Sequence, residues 1–426
     1  MNKEQMSEIS PRTSLISALL IHCTVEIPFF IFPVILYYVE TNIFPTLGEL
    51  SWIGVGSIGT VGTLAAALPS PFFGQLADKY RRGVMMALSL LITILGSLII
   101  GLWGDSFFVV FLGMILMGTA LALYHPPGLS WVSSAFEDPE TKSFSKNYVK
   151  ILAFHGIGGS LGASLGPLSV YFLIDSLDSW RYIYLIWLPF LIVVMAGFWI
   201  FTGRKEPKNS FQQTFKQKTT QLHLETRKLT STQYNRSGNL KNVLYFIFFF
   251  IVVMSLTRGM INFILSLFLF EEKNLIIAEA ALLVGISTLI GSTGQVIGGV
   301  VGDKYGESTV LSATALIQVF ILFVIFFSES VPTLLLFYIL LGIMNALFWP
   351  STNSFVARNS KQRGQAFGYV MLSANLIGAL GPIIDGFLLV IDPNRYLLIF
   401  TFASFFSLSA FLSLVYLKTK LRQNNI

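Results

Sequence analysis

The sequence predicts an all-α integral membrane protein of twelve transmembrane helices in two pseudo-symmetric six-helix bundles. Three observations carry that reading: composition, the placement of the basic residues, and an internal repeat. Charged residues make up 12% of the 426-residue chain and apolar residues 54%, whereas soluble domains carry about 25% charge. So little polar surface cannot cover a soluble fold of this length. One cysteine, Cys23, lies inside an apolar run, which rules out an intrachain disulfide. Glu4 and Glu8 near the start, and a first apolar stretch longer than an h-region, argue against a cleavable signal peptide.

A membrane span needs ~20 mostly apolar residues, and only helices or closed barrels satisfy their backbone in lipid. The continuous runs here select helices. They fall at about 13–39, 52–76, 84–103, 107–133, 147–174 and 182–202 in the first half. The second half has them at about 242–270, 280–302, 309–328, 332–356, 365–391 and 396–417. Gly-rich stretches at 54–62 and 156–166 stay helical because small residues let helices approach closely in lipid. The Phe-rich run 246–250 is expected to face lipid.

Lysine and arginine set the orientation. With both termini in the cytoplasm, 24 of the 28 Lys and Arg residues lie on the inner side. Arg181, Lys273 and Arg395 lie outside, and Arg258 is inside a helix. The net charge of +6 is thus a topology signal in a multi-pass plasma-membrane protein, and no nucleic-acid partner is implied. The stretch 203–241 holds nine basic residues against Glu206 and Glu225, with many Gln, Thr, Ser and Asn. It cannot bury a core and reads as a linker at the anionic leaflet. The expected organisation is a bundle at 1–202, a basic linker at 203–240 and a second bundle at 241–426.

The halves repeat. Gly74-Gln-Leu-Ala-Asp78-Lys-Tyr80-Arg returns as Gly299-Val-Val-Gly-Asp303-Lys-Tyr305-Gly, an offset of 225. Gly118 with His125-Pro126 returns as Gly342 with Trp349-Pro350, an offset of 224, and Gly166-Pro167 returns as Gly381-Pro382, an offset of 215. Three features in one order at near-constant offset mark a duplicated six-helix unit.

Gly74-Gln-Leu-Ala-Asp78-Lys79-Tyr80-Arg81-Arg82 resembles the signature of the major facilitator superfamily in the loop between helices 2 and 3. Gly162-Ala-Ser-Leu-Gly166-Pro167 in helix 5 resembles the motif of the drug:proton antiporters, with Val170 and Tyr171 where that motif has a glycine pair. His22-x-x-x-Glu26, Tyr124-His125-Pro126 and Gly158-Gly159-x-x-Gly162-x-x-x-Gly166-Pro167 resemble the fosmidomycin-resistance branch, which usually has Asp where Glu26 stands. The resemblance implies two bundles around a central cavity lined by helices 1 and 7, worked by alternating access.

Ionisable groups at membrane depth are costly and suggest function. His22 and Glu26, four residues apart, share one face of helix 1. They suit proton coupling or substrate contact, or else a brace for the helix. Arg258 should pair with Glu26, with an anionic substrate group, or with each in turn; its guanidinium suits phosphonate and carboxylate. A permanent salt bridge setting helix register is the other reading. His125 precedes Pro126-Pro127, which free backbone carbonyls, so it braces a kink or contacts substrate. His155 is given a packing role, and Asp385 a water-exposed mouth position. Asn262, Asn345, Trp349 and Asn375 are cavity candidates, and Gly158, Gly162, Gly166 and Pro167 a helix-packing motif. The resemblance assigns Asp78, Arg81, Asp303 and Lys304 to gating, each loop Asp facing a helix N-terminus of the other half; positive-inside anchoring is the alternative for the basic residues.

The functional expectation is proton-coupled export of a small anionic or amphiphilic compound by a monomer, with proton-coupled uptake of an organic acid or sugar phosphate as the alternative. The partners are small-molecule substrate, protons and lipid bilayer. No nucleotide-binding loop is present, so an ion gradient is the energy source. A membrane metalloenzyme is the reading from another class. His22 and Glu26 supply two ligands at i, i+4 but no His-Glu-x-x-His pattern, so neither metal, other cofactor nor enzymatic activity is expected.

Overall fold

A computed structural model describes residues 9–137, 148–205, 234–305, 307–360, 362–391 and 396–423. Most of the expected linker therefore lies outside the described residues. Among the described residues the regular structure is helical, without a strand. The first six membrane helices are α1 Pro11–Val34, α2 Gly48–Lys79, α3 Arg82–Trp103, α4 Phe107–Ala135, α5 Tyr148–Ser176 and α6 Tyr182–Thr202. The second six are α7 Phe249–Glu271, α8 Ile277–Gly298, α9 Val310–Phe327, α10 Val331–Asn359, α11 Arg363–Ile391 and α12 Leu397–Tyr416. Eleven are long and apolar enough to cross a membrane, and α10 adds a shorter apolar segment, Val331–Leu347.

Local sequence explains how these helices begin and bend. Ser10 caps α1, its hydroxyl accepting from Thr13 N at 3.1 Å, with Pro11 at the first helical position. Pro28 and Pro33 interrupt α1 toward its far end, which tightens into a 3₁₀ turn at Phe32–Val34. Pro69 breaks α2, so its last segment, Ser70–Lys79, starts afresh and carries Asp78 at a helix end rather than in a loop.

Glycine sets a close helix contact in the first bundle. A Cβ on Gly158, Gly162 or Gly166 would run into the carbonyls of Leu19, Cys23 or Ile27 respectively. Both sets are spaced by four, so one face of α5 lies flush against one face of α1. That contact buries His22 and Glu26, which are 8% and 7% exposed. Large apolar side chains such as Phe108, Phe172, Val193 and Phe201 point outward, forming the lipid-facing belt. Phe249 is exposed as expected of the Phe-rich run, but Phe250 turns inward against Met254 and Ala410.

The two bundles meet along α2/α11 and α5/α8. At the basic end of the molecule, where Arg81, Arg82 and Arg363 gather, Asp78 Oδ1 and Oδ2 accept from Gly364 N and Gln365 N, both at 2.9 Å. Beside them Arg363 grips Glu137 through two bonds of 2.9 and 2.8 Å. At the opposite end Ser266 donates to Pro33 O, and Ile383 N donates to Thr60 Oγ1 at 3.1 Å. Between these two sets of contacts lies a cavity of about 440 Å³.

Candidate transport cavity

The cavity wall in the first bundle is built by α1, α2, α4 and α5. His22 and Glu26, one turn apart on α1, present Nε2 and Oε1 to each other at 3.5 Å. His125 on α4 completes the group, its Nε2 standing 3.2 Å from the same Glu26 oxygen. The His22 ring meets the His125 ring edge-on, with centroids 5.0 Å apart, and stacks on His155 at 4.8 Å. Two histidines from two helices thus face one carboxylate, and a third, His155, backs the first.

Hydrogen bonding fixes the tautomers, because a backbone carbonyl can only accept. His22 Nδ1 donates to His155 O at 3.1 Å, and His125 Nδ1 donates to Leu121 O at 2.8 Å. Both Nε2 atoms therefore face Glu26 Oε1 as lone pairs whenever the rings are neutral. Three acceptors converge on one point, which repels itself unless a cation, a proton at the least, lies between them. A second chain begins at Tyr124, whose hydroxyl donates to Ala18 O at 2.5 Å and so accepts from His155 Nε2 at 2.9 Å.

Several expectations change here. Glu26 is engaged by His22 and His125, not by Arg258. His125 bonds Leu121 O, one residue short of the Ala122 and Leu123 carbonyls that Pro126 and Pro127 leave free. His155 does more than pack: its ring lines the cavity and orients both His22 and Tyr124. Asp385 is no mouth residue; it is fully buried, with neither carboxyl oxygen partnered among the described residues.

The opposite wall belongs to the second bundle. Arg258 on α7 lines the cavity, its guanidinium 5.2 Å from the centre of the Trp349 ring on α10 and its Nε donating to Met254 O at 3.4 Å. Asn262, Asn345, Trp349 and Asn375 all line the same space. So do Gln295 and Asn353, which the sequence reading missed. Asn345 Oδ1, Asn353 Oδ1 and Gln295 Oε1 are buried acceptors without a protein partner among the described residues. Amides in otherwise apolar spans were the available signal for both missed residues.

The gating candidates separate. Asp78 sits on the first amides of α11, a helix N-terminus of the other bundle. Arg81 instead donates to Arg204 O at the end of α6, within its own bundle. Arg82 is buried, reaching Ser134 Oγ at 2.8 Å and Ser130 O at 3.4 Å on α4. The side chains of Asp303 and Lys304 lie outside the described residues.

The family model described as Major Facilitator Superfamily matches residues 15–257 and 247–425, both halves of the chain. The chain belongs to the Major Facilitator Superfamily. A fosmidomycin resistance protein of Escherichia coli is 24% identical over 372 residues, covering 86% of this chain and 84% of that one. Among solved structures, a D-xylose-proton symporter superposes with a TM-score of 0.73 at 14% identity, over 96% of this chain and 97% of that one. The human organic anion transporter MFSD10 (TETRAN) gives 0.67 at 18% identity, over 96% and 100%. A bacterial homolog of the human lysosomal transporter Spinster, inward-facing and occupied, gives 0.66 at 14% identity, over 97% and 96%. The superfamily fold, the membrane helices and the cavity between the bundles make this chain a secondary transporter of a small-molecule substrate.

Proposed function

We propose that the protein exports a small anionic or amphiphilic compound in exchange for protons, as a monomer in the plasma membrane with both termini in the cytoplasm. The observation that carries this reading is the convergence of His22 Nε2, His125 Nε2 and Glu26 Oε1 on one point of the cavity wall. The group needs a positive charge to hold together, and a proton supplies it. Arg258, on the opposite wall, receives the anionic group of the substrate, since a guanidinium binds carboxylate or phosphonate through paired hydrogen bonds. Asn262, Asn345 and Asn375 set its orientation. The Escherichia coli relative is named for resistance to fosmidomycin, which is in keeping with outward movement of a small compound.

Alternating access follows from bundles that rock about the cavity. We assign the bundles to 1–202 and 241–426, joined by the basic linker 203–240. Asp78 and its repeat Asp303, with Arg81 and Lys304, act in gating at the cytoplasmic side. Breaking the Asp78 bonds to Gly364 and Gln365 opens that side.

The test uses purified protein in liposomes holding an internal pH dye, challenged with phosphonates, organic acids and hydrophobic drugs. Substrate-dependent proton flux in the wild type and its loss in Glu26→Gln is the expected result, with the sign of exchange. Flux of the opposite sign establishes proton-coupled uptake of an organic acid or sugar phosphate instead. Transport with no proton movement overturns coupling altogether.

A further inference from the structure

The lone pairs that meet at Glu26 have the form of a metal site as well as a proton site. His22 Nε2, Glu26 Oε1 and His125 Nε2 lie within 4.8 Å of one another. A tetrahedral ion with bonds of ~2.0–2.1 Å spaces its ligands about 3.4 Å apart. The two edges that run to Glu26 measure 3.5 and 3.2 Å, so they already have that spacing. The remaining edge, between the two imidazoles, lies within 4.8 Å.

The outer contacts fit too. A histidine that binds metal through one ring nitrogen donates the other N–H to a carbonyl or carboxylate, which fixes its tautomer and aim. His22 and His125 both do this, onto His155 O and Leu121 O. Two imidazoles and one carboxylate suit a divalent ion of borderline softness and do not suit Mg²⁺ or Ca²⁺, which take oxygen ligands. All three residues line the cavity, so the fourth coordination position faces its interior.

We propose that His22, Glu26 and His125 form a binding site for a divalent transition-metal ion, Zn²⁺ being the representative, with the fourth position open to the cavity. The ion takes the place of the proton that otherwise joins the three acceptors, because metal ligation requires neutral imidazole and ionised carboxylate. The other titratable groups facing the site are Cys23 on α1, Tyr124 on α4 and His155 on α5, with Arg258 on the far wall from α7. The inference stands whether or not transport is proton-coupled, since it rests on ligand geometry alone.

The experiment is a Co²⁺ titration of tag-free protein in nanodiscs, followed by visible d–d absorption and reversed with Zn²⁺. One saturable Co²⁺ per chain, displaced by Zn²⁺, is expected. Glu26→Gln and His125→Gln should each weaken binding at least tenfold, roughly the effect of losing even an outer-shell partner. His223→Gln, which changes the fourth histidine of the sequence, should leave it unchanged. A folded, monodisperse wild type with no saturable Co²⁺ signal overturns the proposal, and this readout does not depend on any variant folding. A signal retained in both triad variants, or lost with His223, overturns it equally. Liposome proton flux is measured apart from this titration, so failure of metal binding and failure of proton coupling are separate results.

Discussion

His125 Nε2 stands 3.2 Å from Glu26 Oε1, joining α4 to α1 at the wall of the cavity. The contact has little access to water, since Glu26 is 7% exposed. Hydrogen bonds to charged groups contribute about 1.5–3 kcal/mol, and stranding the buried partner costs at least as much. His125→Phe should therefore destabilise the protein by about 2–3 kcal/mol, while Glu26→Gln combined with His125→Phe should cost less than the sum of the two. Unfolding of the four proteins in one detergent gives the coupling energy. A coupling of zero would show that the two side chains do not interact.

Arg258 is held over the Trp349 ring on the opposite wall. Arg258→Lys keeps the charge but loses the planar fork that pairs with carboxylate or phosphonate. Affinity for an anionic substrate should fall about tenfold, equivalent to ~1.4 kcal/mol. Affinity for an uncharged amphiphile should change much less. Equilibrium binding of both compounds to wild type and variant checks this, and equal losses for the two would remove Arg258 from anion recognition.

Gly162 and Gly197 make a controlled pair. A Cβ on Gly162 would meet Glu26 Cβ at 2.7 Å and run into Cys23 O, whereas one on Gly197 would meet nothing within 4 Å. Gly162→Ala should cost about 1–3 kcal/mol by forcing α1 off α5. Gly197→Ala should be neutral or stabilising by up to about 1 kcal/mol, because it removes glycine from a helix interior. Thermal unfolding of both variants in the same detergent reads the contrast.

The outline of this fold was legible because lipid imposes a long apolar period that no local sequence can imitate. The α4 and α9 spans, expected at 107–133 and 309–328, are observed at Phe107–Ala135 and Val310–Phe327. The site was legible only along one helix at a time. His22 and Glu26 declared themselves by their spacing of four. Nothing in the sequence put His125 on the same carboxylate, because that contact depends on how α4 rotates against α1. Arg258 was open for the same reason: the sequence left Glu26, an anionic substrate group or each in turn as its partner, and packing set it beside the Trp349 ring. Asp385 was read from its nearness to a helix end, while the approach of α11 to α2 that buries it is a tertiary fact.

Asp78 places both carboxyl oxygens on the first amides of α11, at 2.9 Å each. Asn in that position presents one oxygen and one NH₂ group, so one bond becomes a clash of donors. Loss of a charge-assisted bond of about 1.5–3 kcal/mol should shift the population toward an open basic end by roughly tenfold or more. Arg363→Gln should act in the same direction by releasing Glu137. Spin-label distances between the basic ends of α2 and α11 would lengthen in both variants. Distances unchanged in Asp78→Asn would mean the contact follows closure rather than holding it.

Asp385 occupies α11 with no solvent exposure, and neither of its oxygens has a partner among the described residues. An unsatisfied polar group in such a place costs about 1–3 kcal/mol, and more if charged. Asp385→Val, close in volume, should therefore stabilise the protein by about 1–3 kcal/mol. Asp385→Asn, which keeps the shape and an unpaired oxygen, should leave stability near the wild-type value. Unfolding midpoints in one detergent compare all three. A marked loss in Asp385→Val would show that the carboxyl has a partner when the protein is in detergent, and the burial argument would then fail at its first step.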